Sequence, residues 1–320
     1  MKAQNSTGIL KLHHLGKMSY LSRLNKSKEL LIIIFPVILY FLLFHYLPMA
    51  GVLISFQDFT VFTGIGDFFQ GPWVGFKWFI KFFNSIYCSR LIRNTILLNV
   101  YGLLWGFPVP IIFALLLNEI KNGVFKRVIQ TLSYLPYFIS TVIIVGMISN
   151  FLSPNYGVIN YFIGQFGGEP VNFMLNPAWF RTIYISSGIW AGFGFSSIIY
   201  LAALSGVDPS LYEAAEIDGA SRLRKIFHIS LPSILPTIMI ILILSFGGLM
   251  SVGFEKIILM YNPATYETAD VIATYVYREG IINANFGFSS AIGLFNSVIN
   301  FILLVVFNQI SKRVSEISLW

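Results

Sequence analysis

Six stretches of this chain, roughly residues 30–56, 91–117, 128–152, 180–205, 232–259 and 286–311, are long, apolar and almost free of charge. A helix needs about 20 mostly apolar residues to cross the hydrocarbon core of a bilayer. Strands of a membrane barrel would be shorter and would alternate in polarity, which these runs do not. The chain is therefore expected to be an all-α membrane protein, a bundle of six spanning helices. Composition agrees: 11% of the residues are charged, against about 25% in soluble domains. The first run, 30–56, holds no Asp, Glu, Lys or Arg and exceeds the roughly 7–15 residues of a signal-peptide core, so it reads as a retained span. The single cysteine, Cys88, excludes an internal disulfide.

The formal net charge is +7, but the basic residues lie at the ends of the apolar runs and not on one polar face, which argues against nucleic acid. Lys and Arg concentrate in alternate loops. One side takes Lys2, Lys11, Lys17, Arg23, Lys26 and Lys28, then Lys121, Lys126 and Arg127, then Arg222, Arg224 and Lys225, then Lys312 and Arg313. The other side takes Lys77, Lys81, Arg90, Arg93, Arg181, Lys256 and Arg278. The positive-inside rule places both termini and the loop around Glu213 in the cytoplasm. Between spans one and two, Lys77 and Lys81 stand four apart among Phe68, Phe69, Trp73, Phe76, Trp78, Phe79, Phe82 and Phe83, a pattern suited to an interfacial helix in an aromatic belt. Segments 153–179 and 260–285, rich in Gly and Pro, read as ordered outer loops.

Residues 206–231 form a hydrophilic interlude between spans four and five. Asp208-Pro209 suits the start of a helix, and Ser210 with Glu213 offers an alternative capping box. Gly219 is suited to a left-handed turn before a second, basic helix carrying Arg222, Arg224 and Lys225, which Leu231-Pro232 would end at the membrane. Glu213 in the first turn would stabilise the cap through the helix dipole. Such caps and turns are common in plain connections.

The combination is more specific. Glu213-Ala214-Ala215, Asp218-Gly219-Ala220 and Leu231-Pro232, at this spacing, closely resemble the EAA loop of the permease subunits of binding-protein-dependent ABC importers. In that family the loop is the coupling helix, the socket for a separate ATPase. The resemblance implies the six-span importer permease fold in a bacterial inner membrane, with a basic cytoplasmic segment over 1–28 and a permease domain over 29–320. It implies coupling residues Glu213, Ala214, Ala215, Asp218 and Gly219, with Tyr212 and Ile217 packing into the ATPase cleft. The implied partners are a second homologous permease, two ATPase subunits that bind ATP and Mg, an extracytoplasmic sugar-binding protein and membrane lipid. The chain carries no G-x-x-x-x-G-K-[ST] loop, so it is not expected to be an enzyme and needs no cofactor of its own. Leu244-Ser245-Phe246-Gly247-Gly248 superficially resembles an ATPase signature, yet inside an apolar run it reads as helix packing through small residues. Tyr46-Leu47-Pro48-Met49-Ala50-Gly51-Val52, Ser55-Phe56-Gln57-Asp58 and Asn94-Thr95 resemble the oligosaccharide permeases of the carbohydrate-uptake group.

The spans are poor in ionisable groups: His45, read as packed or snorkelling, and Glu255 with Lys256 near one end of span five. An ion-coupled secondary carrier normally places more such groups in the membrane, and a scaffold subunit would not need the coupling loop. Aromatic and neutral polar residues at mid-span suit a sugar. Trp190, Phe193 and Ser196 in span four and Ser245 and Leu249 in span five are the candidates for its path, with tight helix contact through Gly and Ser as the plainer alternative.

Overall fold

The computed structural model describes residues 28–59 and 71–315. The basic residues Lys2 to Lys26, and Phe68 and Phe69, lie outside the described residues. Two compact units are distinguished, Met1–Leu53 and Ile54–Trp320. Among the described residues everything regular is helical apart from one antiparallel bridge between Gln57 and Trp73.

The first unit is dominated by α1 (Lys28–Phe56), an apolar helix that continues into Ile54–Phe56. Pro36 lies within it, a π-helical turn occupies Leu42–Tyr46, and it tightens to a 3-10 helix from Ala50. His45 lies in that turn, exposed, with its ring centroid 4.8 Å from that of Phe41.

The second unit begins with α2 (Lys77–Phe83) and α3 (Cys88–Asn118). On α2, Lys77 and Lys81 lie over the Trp78 ring at 4.6 and 5.2 Å, while Phe82 is buried. This aromatic helix is thus partly core. Next come α4 (Val124–Phe138) and α5 (Thr141–Phe151), bent by 98° at a short break. The third expected span, 128–152, is therefore this bent pair and no straight rod. Pro136 lies in a closing 3-10 turn, Ile139 and Ser140 are extended, and the Ser140 hydroxyl accepts the Ile143 N–H, capping a new helix in a new direction. α6 (Val158–Gln165) follows, and then α7 (Pro177–Ser205), which Asn176 caps by accepting from the Ala178 N–H at 3.0 Å. α7 runs through the middle of the unit. At Gly194 a Cβ would overlap the Ser133 carbonyl, so only glycine lets α4 approach that closely.

α8 (Pro209–Ile217) is the helix of the hydrophilic loop. α9 (Arg222–Gly247) departs from expectation at both ends. The basic helix does not stop at Leu231-Pro232. It widens into a π-helical turn at Ile226–Ser230 and continues, since such a turn accommodates the missing proline N–H and the ring that would press on the carbonyl one turn earlier. At the far end the helix breaks after Gly247, and Glu255 and Lys256 belong to a separate helix, α10 (Phe254–Met260). After α11 (Ile272–Tyr277), α12 (Phe286–Ser315) closes the fold. Among the described residues five helices, α1, α3, α7, α9 and α12, are long and apolar enough to cross a membrane, and the α4–α5 pair makes six if it counts as one span. Gly247 packs onto Leu304 and Phe246 stacks on Phe307, so the Leu244–Gly248 segment is a helix contact between α9 and α12.

Among the described residues the buried apolar side chains form three clusters. Leu98, Val145, Phe180, Ile183, Ile257 and Val271 build one, and Phe82, Leu91, Met250, Ile272, Phe288 and Ile292 a second. The third joins Ile111, Ala114 and Leu115 of α3 to Tyr200 and Leu204 of α7 and Ile226, Ile234 and Ile238 of α9. It lies at the root of the hydrophilic loop.

Candidate functional site

Each part of the loop is fixed by chemistry close in sequence. Asp208 is the cap of α8: its carboxylate accepts the Ser210 N–H at 2.9 Å, and Pro209 fills the first helical position. Those bonds hold the Asp208 carboxyl below the ordinary aspartate value. The helix could have started in either of two ways by sequence, and it adopts this one and not the Ser210–Glu213 box. Glu213 is consequently the fifth helical residue, beyond the first turn, where the dipole acts weakly. At the other end Gly219 has φ +71°. Its N–H donates to the Glu216 carbonyl at 3.1 Å and the Ala220 N–H to the Ala215 carbonyl at 2.8 Å, the paired bonds of a Schellman turn. Ser221 then caps α9 on the Arg224 N–H. Glu216 and Lys225 tie the two helices together at 2.7 Å, and that bond and charge depress the Glu216 carboxyl.

The structure sorts the predicted coupling residues into two groups. Glu213, Ala214, Ile217, Asp218 and Gly219 are exposed, Ile217 to 87%. Leu223 and Phe227 of α9 are exposed as well. Glu213 makes no hydrogen bond or ion pair with the described residues. Ala215 is half-buried, and Tyr212 turns inward, its hydroxyl 2.9 Å from the buried Ser230 Oγ. Tyr212 thus braces α8 against α9, unlike the outward packing expected of it.

The predicted path residues are sorted too. Phe193, Ser196, Ser245 and Leu249 line two cavities, of about 280 and 400 Å³, that share Gly102, Gly106, Pro110, Tyr184 and Ser196. Phe193 sits edge-on to Phe113 of α3. Trp190 is separated from the other four. Six residues from Ser196, it is turned about 120° round the helix, and it lines a different, apolar cavity with Ile144 and Phe151. The walls contributed by Asn99, Gly102 and Gly106 of α3, and by Tyr184, were not anticipated. A polar and glycine-rich stripe on an otherwise apolar run, Asn99-x-x-Gly102-x-x-x-Gly106, was the signal that could have found them.

Sequence reasoning also missed a buried charge cluster at the start of α3. The Asp270 side chain is fully buried and accepts from Arg90 Nη2 at 3.1 Å, Arg278 Nη2 at 2.8 Å and Thr274 Oγ1 at 3.0 Å. Burial alone would lower the Arg278 guanidinium, but the bond and charge of Asp270 more than reverse this and hold it above its ordinary value. Asn94 donates to the Glu267 and Asp270 carbonyls and accepts from Arg181, and the Thr95 hydroxyl accepts the Ile272 N–H. The Asn94-Thr95 pair thereby clamps segment 266–278 onto α3.

Comparison with known proteins places this geometry. Residues 106–316 match the family model described as binding-protein-dependent transport system inner membrane component. The polygalacturonan/rhamnogalacturonan transport system permease protein YteP of Bacillus subtilis (strain 168) is 44% identical over 296 residues, 92% of this chain and 91% of that protein. The crystal structure of a bacterial ABC transporter involved in the import of the acidic polysaccharide alginate contains a chain that superposes with a TM-score of 0.85 at 42% identity, covering 92% of this chain and 99% of that one. A chain in the crystal structure of a bacterial alginate ABC transporter in complex with an alginate pentasaccharide-bound periplasmic protein matches with a TM-score of 0.85 at 41% identity, over 94% of this chain and 99% of that one. An all-helical fold and a matched region that includes the exposed two-helix loop lead to one conclusion: the chain belongs to the binding-protein-dependent transport system inner membrane components, the permease subunits of ABC importers.

Proposed function

We propose that this chain forms part of the path by which an ATP-driven importer moves an oligosaccharide handed over by an extracytoplasmic binding protein. The relatives' names support the cargo: polygalacturonan, rhamnogalacturonan and alginate are all polysaccharides. The observation that carries the mechanism is the α8 loop, an exposed apolar and acidic knob on a buried root. In this reading Glu213, Ala214, Ile217, Asp218 and Gly219 meet a cytoplasmic ATPase subunit, and a second, homologous permease completes the path. Two ATPase subunits closing on ATP favour one of two bundle conformations, a population shift. The Ile226 cluster offers a packed route from the loop to the cavity, because Tyr200 belongs to both and because Pro110 and Ile241 of the cavity wall lie within one helical turn of Ile111 and Ile238 of that cluster. Phe193, Ser196, Ser245 and Leu249 offer the sugar an aromatic face and neutral hydrogen-bonding groups.

The test is uptake by the complex reconstituted in proteoliposomes. ATP hydrolysis should rise when sugar-loaded binding protein is added, and uptake should require ATP. Uptake that persists without ATP and collapses with an ionophore would instead make this chain an ion-coupled carrier. The proposed orientation fails if a cysteine placed at Asp218 is labelled from the outer face of sealed cells.

A further inference from the structure

Glu255 and Lys256 are neighbours at the start of α10 and together line a small cavity with Thr141, Tyr184 and Gly188. Glu255 Oε2 accepts from Thr141 Oγ1 at 3.3 Å. Lys256 Nζ donates to the Tyr184 carbonyl at 2.8 Å and stands 4.8 Å from the centroid of the Tyr184 ring. One turn along α7, Gly188 faces the ammonium: a Cβ there would stand 3.4 Å from Nζ. Tyr184, Gly188 and Lys256 line the same cavity as Phe193 and Ser196, so the charge stands in the wall of the proposed path.

Among the described residues the cation makes no ion pair, and the Glu255 carboxylate that shares the small cavity with it is engaged by the Thr141 hydroxyl. Lys77 has Asp58, and Arg90 and Arg278 share Asp270, yet among the described residues no carboxylate lies within ion-pair distance of Lys256 Nζ. A half-buried ammonium without an ion-pair partner is costly. A lysine serving only to brace α10 against α7 would use one of its three N–H donors on the Tyr184 carbonyl and gain nothing from lining a cavity. An anionic group on the cargo would satisfy the remaining donors and offset the cost.

We propose that Lys256 is a specificity-determining residue that reads a sugar carboxylate, so that the cargo is an acidic oligosaccharide containing uronic acid units. This rests on the sugar-import reading above. The experiment uses the complete importer in proteoliposomes with its binding protein, and short oligogalacturonate and alginate fragments as probes. Lys256→Gln should slow uptake of the probe that the wild type carries by about 10- to 100-fold, as expected for a lost hydrogen bond to a charged group. Lys256→Arg should retain most of the rate. The thermal unfolding midpoint should be unchanged in both. Wild-type uptake by Lys256→Gln overturns the proposal. So do equal losses in the Gln and Arg variants, or a loss accompanied by a lower unfolding midpoint, either of which makes the lysine a brace. A wild type that imports neutral oligosaccharides but neither acidic probe overturns it too. Absence of ATP-driven uptake of any sugar is a different failure, that of the import reading itself.

Discussion

The two ends of α3 are held by opposite kinds of chemistry. Near Cys88, Arg90 meets the buried Asp270 across 180 residues of sequence, and Asn94 and Thr95 reach backbone groups almost equally far away. Near Asn118, α3 packs against the root of the α8 loop, whose own polar bonds stay local: Asp208 to Ser210, Ser221 to Arg224, Glu216 to Lys225 and Tyr212 to Ser230, never more than 18 residues apart. The first end is a clamp, with desolvated charges that tolerate no loss of a partner. The second is a self-contained piece whose outward face makes few bonds of its own. A part built this way suits movement as a unit against another protein, while the clamped end keeps the bundle in register.

Removing the centre of the clamp should have the largest effect. Asp270→Ala leaves Arg90 and Arg278, whose side chains are 33% and 21% exposed, without their carboxylate; breaking a fully buried ion pair costs about 3–5 kcal/mol, and the solvent that reaches these guanidiniums places the loss toward the lower end. The unfolding midpoint of the detergent-purified protein should drop sharply. An unchanged midpoint would mean that the clamp contributes nothing, and the contrast between the two ends would vanish.

The loop should respond in function and not in stability. Gly219→Pro cannot adopt φ +71° and loses the N–H that bonds the Glu216 carbonyl, so the Schellman turn must open. Glu213→Lys reverses an exposed, unpaired charge. Both variants should insert and keep a near-normal unfolding midpoint, while uptake and sugar-stimulated ATP hydrolysis fall together. The expected loss is about 5- to 150-fold, the usual range of a coupling free energy between sites. Full uptake by both variants in a normally assembled complex would reduce the loop to a connection.

What the sequence made legible follows the same division. Spans at 91–117, 180–205 and 286–311 coincide with α3, α7 and α12, because apolar length is a local property. The Gly219 turn was legible for the same reason: left-handed backbone selects glycine whatever surrounds it. Hydropathy counts residues without direction, so it could not reveal the bend at Ile139-Ser140 or the continuation of α9 through Pro232. Tyr212 and Trp190 were assigned by residue type, but their neighbours are set by which side of the helix meets the bundle. Asp270 gave no local sign at all, since its meaning lies in Arg90.

The smallest effect concerns the cap of α8 and its pH dependence. Asp208 is fully exposed to solvent, and its carboxyl is held below the ordinary value by the Ser210 bonds. A depressed folded value means that its contribution is present above the unfolded value and is lost as the pH falls through the folded one. The window therefore lies below about pH 4, where an unperturbed aspartate takes up its proton. Glu216, depressed chiefly by its bond to Lys225, titrates with the same sign, so the wild type alone cannot separate them. Asparagine caps helices about as well as aspartate but does not titrate in this range. Hydrogen exchange over residues 210–217, corrected for the intrinsic pH dependence, should show wild-type protection falling between neutral and acid conditions. Asp208→Asn should lose less over the same interval, the remainder belonging to Glu216, and Asp208→Ala should be poorly protected at both. If the asparagine variant loses as much as the wild type, the cap is not the acid-sensitive element, and the Glu216–Lys225 pair becomes the main acid-labile tie in the loop.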